Sequence, residues 1–203
     1  MTGLYNRAYL EDNRDRINTE QNLPLSVIFA DINGLKMTND IFGHSAGDKL
    51  IQETAQILMG ACRGDDIVVR VGGDECVILM PNTEREGAKQ AISRIKGGFL
   101  DAKVEAVRCS VSLGSDTKIN GEESFEQIMI NAENIMYRDK AMNRGSIDRD
   151  IIKTIVETLH IKNPRQREHS IRVKRISKRL VLALGLSAQE LDKLERASYL
   201  HDK

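Results

Sequence analysis

Val68 to Leu79 reads VVRVGGDECVIL. Two short apolar runs flank Gly72-Gly73, and two acids, Asp74 and Glu75, follow the glycines directly. Valine and isoleucine favour pleated sheet, and tight hairpin turns favour glycine because it adopts positive φ without steric cost. The stretch therefore predicts a β-hairpin with Gly72 and Gly73 at positive φ in its turn. Backbone without side chains lies beside the acids, so a phosphate group and its metal can approach closely. An ordinary surface hairpin with solvated acids fits the same residues.

Upstream, Leu23 to Gly34 reads LPLSVIFADING, an apolar β run ending in Asp31, with Asn33 and Gly34 as turn residues. A strand that ends in a carboxylate, beside a hairpin whose turn carries another, can hold Mg²⁺. That ion takes a few hard oxygen ligands and keeps the rest of its shell for water and phosphates. A strand-ending acid also serves as a helix cap, so the spacing leaves both readings open.

Further blocks stand in order along the chain. They are Thr2-Gly3-Leu4-Tyr5-Asn6-Arg7, Asp31-Ile32-Asn33, Lys36, Asn39-Asp40, Gly43-His44, Gly47-Asp48, Gly72-Gly73-Asp74-Glu75-Cys76, Ala132-Glu133, Tyr137, Lys140 and Arg144. On these blocks, roughly the first three-quarters of the chain resembles the GGDEF domain of the diguanylate cyclase family. Cys76 stands where the family usually has phenylalanine, and Asn143 where its closing motif usually has glycine. The first part of the opening motif is missing, with Met1 in its place.

Composition fits this resemblance. The 203 residues can hold one core of ordinary size plus an appendage. Thirty basic against thirty acidic side chains leave no global field to recruit nucleic acid or an anionic membrane. No run is long enough to span a bilayer and no signal peptide is evident, so the expected setting is cytoplasmic. Cys62, Cys76 and Cys109 are odd in number and lack metal-site spacing, so they read as reduced, mostly buried thiols.

Periodicity predicts a short N-terminal helix, a strand over 25–31, a helix over 46–59, the hairpin, a helix over 84–95, a strand over 107–113 and a helix over 124–142. The order βαββαβ plus a final helix is that of a ferredoxin-like α/β (α+β) sheet covered by helices. The same fold is implied by the resemblance. Residues 1–146 form the cyclase-like domain, and 147–203 a helical C-terminal part.

The resemblance implies roles residue by residue. Asp31 and Asp74, with the carbonyl of Ile32, would hold Mg²⁺ or Mn²⁺, and Glu75 is a further ligand or proton acceptor. Gly72 and Gly73 would lie against the substrate. Lys36, Lys140 and Arg144 would contact phosphates; Lys140 and Arg144, four apart on a helix, project from one face. Asn39 and Asp48 would read the base, because a carboxylate accepts both N1–H and the exocyclic amine of guanine, which adenine does not offer. Asp48 thus favours GTP over ATP. Read without the resemblance, Asp48 is a helix cap, Asn39 a turn residue, and Lys140 with Arg144 a solvated stripe. His44 reads as a packing residue.

Arg63 and Asp66 match the RxxD pattern of the family's product-binding inhibitory site, which implies feedback by cyclic di-GMP. A charged turn between helix and strand fits the same residues. A symmetric cyclic dinucleotide needs two GTP molecules held face to face, so a homodimer is implied.

After Gly145 the expected pattern is a helix over 147–161, a break at Asn163-Pro164, and helices over 170–184 and 188–200. His169-Ser170, Leu184-Gly185-Leu186 and Leu200-His201-Asp202 resemble the start of an HD-type phosphohydrolase domain. His169, His201 and Asp202 would be its ligands, in a set that is incomplete by Lys203. The expectation is a truncated helical segment without activity of its own, from a parent with both cyclase and phosphodiesterase halves.

Overall fold

All eight residues from Leu25 to Ile32 are buried, including Ser26 and Asp31. A strand covered on both faces and paired on both edges reads as a near-continuous apolar run, and this one does. In the computed structural model, which describes residues 2–104 and 107–185, it is strand β2, an interior strand of the sheet. The described elements run β1 (Tyr5–Asn6), α1 (Arg7–Ile17), a 3₁₀ turn (Glu20–Asn22), β2 (Leu25–Ile32), α2 (Leu35–Phe42), α3 (His44–Ala61), β3 (Ile67–Arg70) and β4 (Glu75–Met80). There follow α4 (Arg85–Gly98), β5 (Lys103–Val104), β6 (Val107–Arg108), β7 (Val111–Lys118), α5 (Phe125–Lys162) and α6 (Pro164–Ala183).

The sheet order is β1-β3-β4-β2-β7, with β2 antiparallel to both β4 and β7 and β1 parallel to β3. Strands β2, β3, β4 and β7 have the ferredoxin-like order, and β1 extends the sheet at one edge. Alternation of side chains sorts the core into two faces. Ile28, Ala30, Ile32, Cys76 and Ile78 pack with Leu50 and Leu58 of α3 and Ala91 and Ile95 of α4. Leu25, Val27, Phe29, Val77 and Leu79 pack with Leu10 of α1 and with Phe125, Ile128, Ala132 and Met136 of α5. Asp31 continues the odd-numbered set of β2 and Glu75 that of β4, so both acids belong to the α5 face.

Several elements differ from expectation. The hairpin loop is wider than a two-residue turn. Arg70 pairs with Cys76, and residues 71–74 connect the strands. The Val71 and Gly72 N–H groups both donate to the Glu75 carbonyl, at 3.0 and 3.2 Å. Neither Gly72 nor Gly73 is in the left-handed region, because a loop of this width does not need it. Residues 35–42, where no element was expected, form helix α2, entered through Gly34 at φ 74° and left through Gly43 at φ 85°. His44 is the first residue of α3 and is exposed, not packed.

The last strand lies further along than 107–113. Residues 107–108 belong to the small β5–β6 hairpin, and β7 pairs with all of β2, from Leu25 opposite Lys118 to Ile32 opposite Val111. Its polar second half hides it from a hydrophobicity reading, yet Thr117 and Lys118 are buried with partners. Thr117 Oγ1 bonds Ser26 Oγ at 2.8 Å, and Lys118 Nζ donates to Asn18 Oδ1 at 2.5 Å. The helices expected over 124–142 and 147–161 are one helix, α5. Nothing between Met142 and Ile147 breaks it, since a lone glycine is tolerated in a helix at modest cost.

The chain divides into two units, Met1–Asp150 and Ile151–Lys203. In the second, α6 begins at Pro164 after the expected break, and Ser170 and Val181 are buried. His169 lies on α6, while His201 and Asp202 lie outside the described residues. Among the described residues no helix is long and apolar enough to cross a membrane.

One contact sets the height of α5 over the sheet. A Cβ placed on Gly114 of β7 would lie 2.1 Å from Met136 N and 2.2 Å from Ala132 O, so the helix backbone rests on the strand backbone. Asp139 adds a tie at the open edge of β7: its Oδ2 accepts the Leu113 N–H at 3.1 Å. No rotamer change can relieve a clash with helix backbone, so Gly114→Ala must lift α5. We expect it to destabilise the fold by about 2–3 kcal/mol, as read by urea unfolding. Wild-type stability in that variant would show that the helix is not held so closely.

Candidate active site

Strand pairing brings the two acidic segments together. Asp31 is directly opposite Glu75 across the β2–β4 ladder, and the Ile32 N–H donates to the Asp74 carbonyl at 2.8 Å. Beyond them β2 ends at Ile32, and the turn residue that follows, Asn33, is a buried amide. Its Nδ2 donates to Ser110 Oγ at 3.2 Å, while Ser112 Oγ donates to its Oδ1 at 3.0 Å. That side chain ties the end of β2 to the segment entering β7. Gly34, in the left-handed region, then turns the chain into α2, where Thr38 Oγ1 donates back to the Gly34 carbonyl at 2.9 Å.

Like charges directly opposite on a sheet repel, so three neighbouring acids need a cation. Lys140 supplies it. Its Nζ donates to Asp31 Oδ1 at 2.7 Å and to Oδ2 at 2.8 Å. The Asp31 side chain is only 4% exposed and that of Lys140 40%. Burial raises the Asp31 pKa above its usual 3.8, the Lys140 bond and charge lower it, and the charges of Asp74 and Glu75 raise it; the net direction is upward. One turn earlier on α5, the Tyr137 hydroxyl donates to Glu75 Oε1 at 3.4 Å. The charge of Glu75 leads in raising the Tyr137 pKa.

Helix α5 delivers both groups because its buried stripe runs straight into the site. Phe125, Ile128, Ala132 and Met136 repeat at helical spacing, and Lys140 is the next position on that stripe. Arg144 follows four residues later and is exposed. Asp139 was not singled out from the sequence, yet it orients this part of the helix. Besides the Leu113 N–H it accepts from Asn143 Nδ2 at 2.9 Å. Its i, i+4 spacing to Asn143 is the signal that could have found that pair. Asn143 therefore has a structural bond at the position where the family usually carries glycine.

The glycines keep space, not unusual φ. A Cβ on Gly72 would lie 2.8 Å from Glu75 Oε2, whereas one on Gly73 would meet nothing within 4 Å. Arg70 Nη2 donates to the Gly73 carbonyl at 2.7 Å and braces the loop. The open ground over Gly73 lies beside Asp74.

A second corner forms where α2 turns into α3. A Cβ on Gly47 would lie 1.9 Å from Asn39 Oδ1, so Asn39 rests against the helix residue that precedes Asp48. Asp48 is the fifth residue of α3 and exposed, which removes the helix-cap reading. Asn39 lies within α2, not in a turn. Lys36 is exposed in the first turn of α2. Apart from both corners, Arg63 and Asp66 form a closed turn after α3. The Arg63 N–H donates to Asp66 Oδ2 at 2.7 Å and the Asp66 N–H to the Arg63 carbonyl at 3.1 Å. The Arg63 side chain is exposed.

Among the described residues no three His, Cys, Asp or Glu side chains form a ready metal cage. Asp31 and its acidic neighbours still fit Mg²⁺, which takes one or two carboxylates and completes its shell with water and phosphate. The ammonium already seated on Asp31 shows that this buried carboxylate accepts a cation.

The family described as "Diguanylate cyclase, GGDEF domain" matches residues 1–146. The chain belongs to the GGDEF diguanylate cyclase family. It is 32% identical over 157 residues to the diguanylate cyclase DgcP of Pseudomonas aeruginosa, covering 73% of this chain and 23% of that one. The crystal structure of the GGDEF domain of YfiN (TpbB) from Pseudomonas aeruginosa superposes with a TM-score of 0.64 at 27% identity, covering 70% of this chain and 93% of that one. A microbial GGDEF domain solved for its interaction with bis-(3′,5′)-cyclic di-GMP has a TM-score of 0.59 at 26% identity, covering 70% and 88%. The chain spans 22 to 44% of the length of five curated relatives that it matches.

Cys76 follows the acids but points to the opposite face, into the core with Ile78 and Leu50. Burial pushes its thiol up to about 12, that of Cys62 to about 12 and that of Cys109 to about 11, from 9.0. Burial thus disfavours the thiolate, the reactive form, at all three positions. A raised folded pKa gives stability that is complete below about 9 and lost as pH climbs toward 11–12. We expect the urea midpoint to fall steadily above pH 9, and to fall less steeply in Cys76→Ala. Parallel slopes for the two proteins would remove Cys76 from that dependence.

Proposed function

We propose that this domain condenses two GTP molecules into cyclic di-GMP and two pyrophosphates. The reading is carried by one observation: the buried Asp31 carboxylate lies directly opposite Glu75 at the Gly72–Glu75 loop, with a cation seated on it. Asp31, Asp74 and the Ile32 carbonyl would hold Mg²⁺ or Mn²⁺. Such an ion, when bound, would acidify the 3′-hydroxyl and offset charge on the departing pyrophosphate.

This chain's own residues would do the rest. Lys140, Arg144 and Lys36 hold phosphate oxygens, and the open ground over Gly73, next to Gly72, admits the chain of phosphates. Asp48 accepts from guanine N1–H and the exocyclic amine, with Asn39 beside it, a pairing worth about 1–3 kcal/mol against the wrong base. In the reaction the 3′-oxygen of each GTP bonds to the α-phosphorus of the other. The bond from that phosphorus to its bridging oxygen breaks, pyrophosphate leaves, and Glu75 would accept the hydroxyl proton. One domain holds one GTP, so the reaction requires a homodimer across a two-fold axis.

Product would bind at Arg63 and Asp66. An arginine fork suits phosphate or a guanine edge, and the Asp66 carboxylate, now closing its own turn, would be shared with guanine N–H groups. Cyclic di-GMP there restrains the two domains from meeting. The segment from His169 onward would belong to an HD-type domain, and the setting would be cytoplasmic signalling.

Incubation with GTP and Mg²⁺ at rising protein concentration, followed by mass spectrometry, tests the reaction. We expect cyclic di-GMP to rise faster than linearly with protein, and Asp74→Asn to lose turnover while keeping its circular dichroism. Turnover in that variant would remove Asp74 from the metal site. Bound GTP without product at any concentration would favour a nucleotide receptor instead. Arg63→Ala should keep the initial rate and lose inhibition by added cyclic di-GMP, and an unchanged inhibition curve would leave that turn purely structural.

A further inference from the structure

We propose that Lys140 is an exchangeable counter-ion: it holds the cation position on Asp31 in the nucleotide-free protein and yields it when metal and triphosphate arrive together. The inference deepens the reading of the site given above and rests on it.

The geometry pairs Lys140 with Asp31. Both carboxylate oxygens accept from Nζ, at 2.7 and 2.8 Å, and Asp31 has almost no solvent to turn to. A buried carboxylate beside two more acids is costly without a positive partner, so the ammonium is part of the folded site. A divalent ion on the same oxygens would lie about 2.1 Å from them. It would then stand within a few ångströms of the ammonium, and two cations that close repel strongly in a partly buried place. The two cannot share Asp31 as it stands.

The side chain is able to leave. Lysine carries a compact charge on a flexible four-carbon stem, and this one is 40% exposed while its partner is 4% exposed. Arg144 lies on the same face one turn on, so an anionic ligand along this side of α5 meets two positive groups. A triphosphate therefore gives the displaced ammonium new partners at the moment the metal takes its old one. Metal alone has to evict Lys140 without that compensation. Binding of metal and of nucleotide is then coupled, and the coupling acts equally in both directions.

Such a device keeps Asp31 neutralised between turnovers and disfavours a metal-loaded, nucleotide-free site. It also separates two roles of one residue: counter-ion to Asp31 in the resting protein, and phosphate ligand in the loaded one.

Mn²⁺ binding, followed by loss of the free-ion electron paramagnetic resonance signal, tests this without turnover. Wild type, Lys140→Met and Lys140→Gln are compared without nucleotide and with a GTP analogue bearing a methylene bridge between the α- and β-phosphorus. Arg138→Met, the loss of an exposed charge from the same helix, is the control. Circular dichroism establishes which variants are folded, and the glutamine variant serves if the methionine one is not. We expect nucleotide-free Mn²⁺ affinity to rise about tenfold in the Lys140 variants and to stay unchanged in Arg138→Met. We also expect the analogue to strengthen Mn²⁺ binding more in wild type than in either Lys140 variant. Equal or weaker nucleotide-free affinity in the Lys140 variants would overturn the exchange and leave the cyclase reading standing. Absence of Mn²⁺ binding in wild type even with the analogue would overturn both.

Discussion

The antiparallel ladder between β2 and β4 is the constraint on which the site depends. Its register places Asp31 opposite Glu75 and joins Ile32 N to the Asp74 carbonyl. A slip of one residue would turn Asp31 to the α3–α4 face and bring Ile32 to the α5 face. Burial of β2 on both sides forbids that slip, because each face has its own apolar set packed against its own helices. The core thus holds the register, and the register holds the acids together.

The second constraint is the approach of α5. Gly114 lacks a Cβ that would keep the helix off the sheet, and Asp139 ties the helix to the free edge of β7. Only at that height do Lys140 and Tyr137 reach carboxylates rooted in the strands. The charge balance of the site is local in consequence. Acids come from strand ends and a loop, the compensating base comes from a helix, and the chain as a whole carries equal numbers of each.

The departures from the family pattern fall away from this chemistry. Cys76 fills a core position on the far face from the acids, and Asn143 bonds within α5 to the residue that anchors the helix. Neither replaces a group that reaches the acidic corner. A microbial GGDEF domain solved for its interaction with cyclic di-GMP shares the fold at modest identity, which agrees with a site built from few residues on a common frame.

Much was legible in the sequence because it depends on local pattern. Alternating and helical periodicities marked β2, the hairpin, α3, α4 and the first half of α5, and ordered motif blocks marked the family. The wide loop, the entry of β7 at Val111 and helix α2 were not legible. Polar residues such as Thr117 and Lys118 are buried only because distant partners, Ser26 and Asn18, satisfy them. No window of neighbours contains that information. The residue types at Asp31, Asp74, Glu75 and Lys140 were set by the sequence, and so was the stripe that leads α5 to Lys140. That the ammonium sits on Asp31 was decided by tertiary structure alone, since it needs a strand and a helix 109 residues apart to meet across a contact only glycine permits.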